Sequence, residues 1–310
     1  MSVLKDDVAA QEAIGNWFKS RGWTPNAFQL ELWDAARNGQ EGLLQAPTGS
    51  GKTYAAMIPV ILKFWNRRSG KEKRGVKLIW IAPIRALTRE IEQSAKILLR
   101  DLGFDWEVGV RTGDVSAKEK ARQRIRLPEI LITTPESLHV LLAMKGMGER
   151  FASLEFLVVD EWHELMGSKR GVQVELASSL LKSISPSMCV WGISATMGNL
   201  DEAMQTLLGN REGKLIRANW KKERTITSLM PAKLERLAWS GHLGLALLEQ
   251  VLDVIERHGS TLIFTNTRAQ AEIWYRHILE ADPLLSGAMA LHHGSISKDL
   301  RHWVEDALHD

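Results

Sequence analysis

The sequence carries a single cysteine, Cys189, so no internal disulfide can form. It lies in Ser187-Met188-Cys189-Val190-Trp191, a pattern that predicts a buried strand thiol rather than a reactive one. No apolar run reaches the roughly 20 residues that a membrane-spanning helix needs. The opening Met-Ser-Val-Leu-Lys-Asp-Asp has no signal-peptide core. These absences predict a protein of the reducing cytoplasm with no membrane partner. Neither charge sign dominates: 40 Lys and Arg face 37 Asp and Glu, a net charge of +3 with a sequence pI near 8.9. That balance permits a polyanionic partner without requiring one. Tyrosine is scarce, two against twelve tryptophans, so indoles must supply most of the aromatic core. Metal-ligand spacing is missing too. His163-Glu164 would need a second histidine at 167, which is Gly167, and His292-His293 are adjacent without further ligands, which excludes a zinc site. There is no internal repeat, no low-complexity tract and no signal for an oligomeric state.

The chain is organised around Gln45-Ala46-Pro47-Thr48-Gly49-Ser50-Gly51-Lys52-Thr53. A short apolar strand, Gly42-Leu43-Leu44, precedes it, and Tyr54-Ala55-Ala56-Met57-Ile58 reads as the start of a helix. Strand, glycine loop, Lys-Thr and helix form the context of a phosphate cradle. Gly49 and Gly51 can turn successive amides inward, and the helix N-terminus adds partial positive charge. In this arrangement Thr48, Gly49, Ser50 and Gly51 would wrap a nucleotide's phosphates, Lys52 would reach the β- and γ-phosphates, and the Thr53 hydroxyl would hold Mg²⁺. Ala46 stands where the strict pattern has glycine.

Apolar runs at 76–82, 129–133, 156–160 and 188–193, with a shorter strand at 107–111, alternate with amphipathic helices. Such runs suit strands covered on both faces, hence an α/β fold with a parallel sheet and helices on either side. Gly209 to Gly213 is turn-rich. The division expected is a nucleotide-binding domain at 1–217 and a partial second α/β domain at 218–310. In the latter, strands are expected at 225–229, 261–265 and 287–291, with helices at 243–257 and 268–280. The basic stretch Asn66 to Gly75 reads as a solvated connection.

Hydrolysis needs a metal ligand and a group that positions water. Asp160-Glu161, closing an apolar strand, supplies both: Asp160 completes the Mg²⁺ shell with Thr53, and Glu161 polarises the water. Ser194-Ala195-Thr196, after another strand, offers two hydroxyls, and several other strand ends carry small polar residues: Thr112-Gly113, Thr133-Thr134-Pro135 and Thr265-Asn266-Thr267, with Arg85 and Arg268 adding charge. Each alone reads as a turn or a helix cap. As a series they suit contact with a sugar-phosphate backbone without reading bases.

In this order the segments resemble the motifs of the superfamily-two DExH-box helicases. They are Phe28-Gln29, Ala46 to Thr53, Ala82 to Leu87, Thr112-Gly113-Asp114, Thr133 to Ser137, Asp160 to His163, Ser194-Ala195-Thr196, Phe264 to Arg268 and His292-His293-Gly294-Ser295. Trp33, Lys169-Arg170-Gly171 and Arg301 are similar to the Lhr (large helicase-related) group. Thr24 to Gln29 and Trp191 to Leu200 resemble its bacterial ligase-associated members. The resemblance implies two RecA-like domains, the second incomplete here. It implies ATP with Mg²⁺, and single-stranded DNA as partner, with RNA or an RNA–DNA hybrid as alternatives. The implied activity is a DNA-dependent ATPase driving 3′-to-5′ translocation in DNA repair. By motif match, Gln29 contacts adenine, and His163, Ser194 and Thr196 couple nucleotide state to the polymer. Arg85, Thr112, Gly113, Thr134, Thr265, Asn266, Arg268 and His293 lie along its track. The second domain's late motifs, including the arginines that reach the γ-phosphate, are not among the segments found. A fragment that turns over slowly, or only binds, is therefore expected.

Overall fold

The computed structural model describes residues 2–67, 75–146, 148–195, 197–219, 225–230 and 244–308. It divides into two compact units, 1–222 and 223–310.

The first unit holds helices α1 (Ser2–Lys19), α2 (Ala27–Arg37), α3 (Lys52–Lys63), α4 (Arg85–Asp101), α5 (Ala117–Ile125), α6 (Pro135–Leu142), α7 (Trp162–Leu165), α8 (Lys169–Ile184) and α9 (Leu200–Leu208). Its strands are β1 (Gly42–Gln45), β2 (Leu78–Ile81), β3 (Val108–Arg111), β4 (Ile130–Thr133), β5 (Phe156–Val159), β6 (Cys189–Ser194) and β7 (Lys214–Arg217). They form one seven-stranded sheet in the order β3-β4-β2-β5-β6-β1-β7, with every pairing parallel. Alternate residues serve opposite faces, as the pleat demands. Leu78, Trp80, Phe156, Val158 and Trp191 pack under α1 to α4. Ile79, Ile81, Leu157, Val159 and Val190 pack under α6, α8 and α9. Burial on both faces explains the near-continuous apolar runs. Cys189 is a buried thiol of β6.

Pro59 falls inside α3 and has no N–H, which leaves the Ala55 carbonyl one turn back without its helical donor. The indole of Trp33 in α2 supplies the missing bond, Nε1 to Ala55 O at 3.2 Å. A helix breaker thus becomes an attachment point between α2 and the cradle helix.

The second unit contains α10 (Leu248–Arg257), α11 (Arg268–Ala281) and α12 (Lys298–Ala307). The strands expected at 225–229, 261–265 and 287–291 are not formed, and among its described residues this unit has no strand. A strand is secured by a neighbour that accepts its hydrogen bonds and by a layer that covers its apolar face. Neither meets the run at 261–265, where Leu262 is 65% and Phe264 89% exposed. The helix expected from residue 243 begins later, at Leu248, after a 3₁₀ turn over Leu245–Leu247. Residues 68–74 of the basic stretch lie outside the described residues.

Candidate nucleotide site and the strand-end groups around it

The cradle follows β1 and leads into α3. Gly49 and Gly51 have φ of 76° and 86°, the left-handed region that glycine alone enters freely. A side chain at Gly51 would also meet Gln29, whose Nε2 lies 2.8 Å from where its Cβ would stand. Gln29 is buried and fixed at both ends. Its Oε1 accepts from the Asn26 amide at 2.8 Å, and its Nε2 donates to Gly51 O at 3.0 Å. The start of α2 is therefore tied to the turn of the cradle.

Two strands away in the sheet, β5 delivers Asp160 and Glu161. Lys52 Nζ lies 3.2 Å from Glu161 Oε1. Both Asp160 oxygens receive donors, the Glu161 amide at 2.9 Å on Oδ1 and the Trp80 indole at 3.2 Å on Oδ2. Burial pushes the Asp160 carboxyl up to about 6, and the neighbouring Glu161 charge adds to this; Lys52, the Glu161 amide and the Trp80 indole oppose it. Glu161 itself has φ 45° and ψ 48°, and among the described residues it is the one non-glycine with positive φ. That backbone costs on the order of 1–2 kcal/mol; the next residue, Trp162, is fully buried, with its indole donating to Ala203 O at 2.9 Å.

From Glu161 the polar contacts continue sideways. Its Oε2 makes no hydrogen bond but lies 3.4 Å from His163 Nδ1, and the same nitrogen is 3.1 Å from Ser194 Oγ at the end of β6. A chain of contacts thus runs from Lys52 through Glu161 and His163 to Ser194, whose strand β6 lies between β5 and β1. Thr196 lies outside the described residues.

The cavity in front of the cradle has a volume of about 590 Å³. Thr48 to Tyr54, Gln29, Asp160 and Glu161 line it, as do Trp23, Trp80 and α4 residues including Glu90 and Ser94. Sequence reasoning missed Trp23, Trp80, Glu90 and Ser94, because burial and chain order carry no mark of which cavity a side chain faces. Among the described residues, no group of three or more His, Cys, Asp and Glu could enclose a metal. A cation that needs one carboxylate, one hydroxyl and phosphate oxygens fits Asp160 and Thr53. Mg²⁺ is that kind of ion, and its charge would relieve the buried carboxylate.

The other sheet half gathers the remaining strand-end groups. Thr112 and Gly113 follow β3, Thr134 follows β4, and Arg85 opens α4 after β2; these strands are neighbours. Thr112 and Thr134 are buried. The Thr134 hydroxyl donates to Ser137 Oγ at 3.2 Å, and Gly113 O accepts from Lys120 Nζ at 2.7 Å. In the second unit, Arg268 donates to Ser295 Oγ at 2.6 Å, and His293 Nδ1 accepts from the Ser295 amide at 3.3 Å. His293 Nε2 is 3.5 Å from Glu272. Thr265 Oγ1 donates to Thr267 O at 3.0 Å, beside exposed Asn266. The Thr-Asn-Thr-Arg and His-His-Gly-Ser segments therefore meet within that unit.

A glycine cradle ending in Lys-Thr after one strand, paired acids after another, and a parallel sheet covered on both faces define a P-loop nucleotide-binding domain of RecA-like fold. Residues 26–203 match the DEAD/DEAH box helicases. The chain belongs to that family. An ATP-dependent helicase Lhr-Core protein 2 of Thermococcus barophilus is 30% identical over 314 residues, covering 96% of this chain and 36% of that protein. The ATP-dependent helicase Lhr-Core of Methanothermobacter thermautotrophicus is 33% identical over 288 residues, covering 87% of this chain and 33% of its own length. The structure of Mycobacterium smegmatis helicase Lhr bound to ssDNA and AMP-PNP superposes with a TM-score of 0.76 at 28% identity, over 96% of this chain and 39% of that one. The chain thus spans about a third of the length of the relatives it matches. No helix among its described residues is long and apolar enough to cross a membrane.

Proposed function

We propose that this chain is the ATP-hydrolysing part of a DNA helicase of the Lhr type, coupling hydrolysis to 3′-to-5′ movement along single-stranded DNA in DNA repair, in a reducing cytoplasm. The observation that carries the reading is the Lys52–Glu161 contact at 3.2 Å, which brings the phosphate-binding lysine and the second acid to one point beside buried Asp160. Lys52, the amides of Thr48 to Gly51 and the start of α3 bind the triphosphate, and Gln29 reads adenine with the N–H and lone pair its internal bonds leave over. Asp160 and Thr53 hold Mg²⁺, which when bound neutralises phosphate charge. Glu161 orients the attacking water, so Lys52 leaves it for the phosphates. His163, Ser194 and Thr196 pass the change at Glu161 to the polymer side. Arg85, Thr112, Gly113 and Thr134 in domain 1, and Thr265, Asn266, Arg268 and His293 in a partial RecA-like domain 2, contact the sugar-phosphate backbone. Burial of the Thr112 and Thr134 side chains favours backbone amides for that contact. The domain division proposed is 1–217 and 218–310.

Slow turnover is part of this reading, since the resembled helicases reach the γ-phosphate with arginines of late second-domain motifs that are not among the segments matched above. The decisive experiment measures ATP hydrolysis with and without single-stranded DNA or RNA of matched sequence, in the wild type and in Glu161→Gln. Stimulation by DNA that vanishes in the variant, with nucleotide affinity kept, is the expected result. Equal stimulation by RNA overturns the DNA assignment, and unchanged hydrolysis in the variant overturns the role of Glu161.

A further inference from the structure

A basic corner lies at the other edge of the first unit's sheet. Arg124, Lys145 and Arg150, with Met144, line a cavity of about 360 Å³. Arg124 is near the end of α5, which leads into the start of β4, while Lys145 and Arg150 lie between α6 and the start of β5. All strands run parallel, so these residues sit at the amino-terminal edge, whereas the cradle, Asp160, Thr112 and Thr134 sit at the carboxyl edge. Each strand puts roughly 13 Å between the two edges.

The corner is built, not incidental. The Arg150 guanidinium donates to the Ile125 carbonyl at 2.6 Å and to that of Arg124, the last carbonyls of α5. It is thereby held in place with donors to spare. Arg124 and Lys145 are exposed, and no carboxylate lines the cavity among the described residues. Glu149, on the neighbouring turn, is exposed and is not among the lining residues. Three like charges converge without an internal counter-charge, an arrangement that an external anion stabilises. Gly75, which ends the basic stretch from Asn66, comes within 4.0 Å of the Arg150 carbonyl, measured from where a Cβ would stand. The guanidinium fork suits phosphate oxygens. Among the described residues no aromatic lines the cavity, so none of them would stack on a base there.

We propose that this corner is a second phosphate-backbone site, independent of sequence, which holds a nucleic-acid segment other than the one passing Thr112 and Thr134. The ligand class rests on the functional reading above; the anion chemistry does not.

The test uses the full chain without nucleotide. Binding of a fluorescent 20-base-pair duplex (roughly two helical turns) is followed by anisotropy over a salt series, for the wild type and for the double variant Arg124→Gln, Lys145→Gln. Both side chains are exposed, so the thermal midpoint should be unchanged. The expected result is about tenfold weaker binding at low salt and a salt slope shallower by about 2, one for each cation lost. Affinity and slope equal to wild type overturn the proposal. Inorganic phosphate is then added as competitor: displacement of the duplex by a few millimolar phosphate makes this a small-anion site and overturns the polymer assignment. Because no ATP is present, a chain that never hydrolyses ATP yet shows the slope difference retires the motor reading and keeps this one. The reverse outcome retires this one alone.

Discussion

The indole nitrogen of Trp80 lies 3.2 Å from Asp160 Oδ2, joining two neighbouring strands at the carboxyl edge of the sheet. Trp80 is fully buried, and the bond fixes the direction of a carboxylate whose other oxygen takes the Glu161 amide. Trp80→Phe keeps an aromatic ring and removes the donor. The divalent cation that accompanies nucleotide should then half-saturate at a concentration roughly tenfold or more higher, about the value of one hydrogen bond to a charged group. Mg²⁺ titration of a fluorescent ATP analogue measures this, and an unchanged midpoint would show that Asp160 is oriented by other means.

The raised Asp160 carboxyl makes the metal-free fold pH-dependent. Its ordinary value is 3.8 and its value in the fold is about 6. Between them the folded state binds more protons than the unfolded chain, so stability falls as pH rises through this window and levels off above about 6. Asp160→Asn cannot ionise and escapes that loss. Its unfolding free energy without metal should exceed the wild type's at pH 8, by about 1–2 kcal/mol once the mismatched amide is allowed for. The gap should close towards pH 4. Parallel pH profiles for the two proteins would contradict the assignment.

Glu161 occupies left-handed backbone with φ 45°, where glycine is at ease. Glu161→Gly should therefore raise stability to denaturant by about 1 kcal/mol while abolishing hydrolysis. Opposite signs in the two measurements identify strain retained for function; a loss of stability would mean that the contacts of Glu161 with Lys52 and His163 outweigh the strain.

Trp33 repairs the bond that Pro59 breaks. Trp33→Phe leaves the buried Ala55 carbonyl without a donor and should cost about 1–3 kcal/mol. In a Pro59→Ala background the helix supplies its own donor, and the cost should shrink. A double-mutant cycle in denaturant reads the coupling; additive losses would refute it.

Much of this was legible in the chain. The apolar runs specify β2, β4, β5 and β6 because burial on both faces leaves no room for alternation, and the cradle is legible because glycines, Lys-Thr and a helix start must be contiguous to work. The strands expected in the second unit failed for the complementary reason. An apolar run such as 261–265 states a preference, and only a paired neighbour turns it into a strand. The Lys52–Glu161 contact joins residues 109 apart and could be guessed only from their types.

The sequence by itself carried the glycine loop with Lys-Thr, the acid pair, the apolar runs of a parallel sheet, and a single cysteine. Those depend on residue type and short-range order, which the chain states directly. Only the tertiary structure decided which groups share a space. It put Trp80 on Asp160, Gln29 on Gly51, Trp33 on Ala55, and three cations at one corner. Such pairings depend on strand order in the sheet, and that order, β3-β4-β2-β5-β6-β1-β7, differs from chain order because crossover connections, not adjacency in sequence, decide which strands become neighbours.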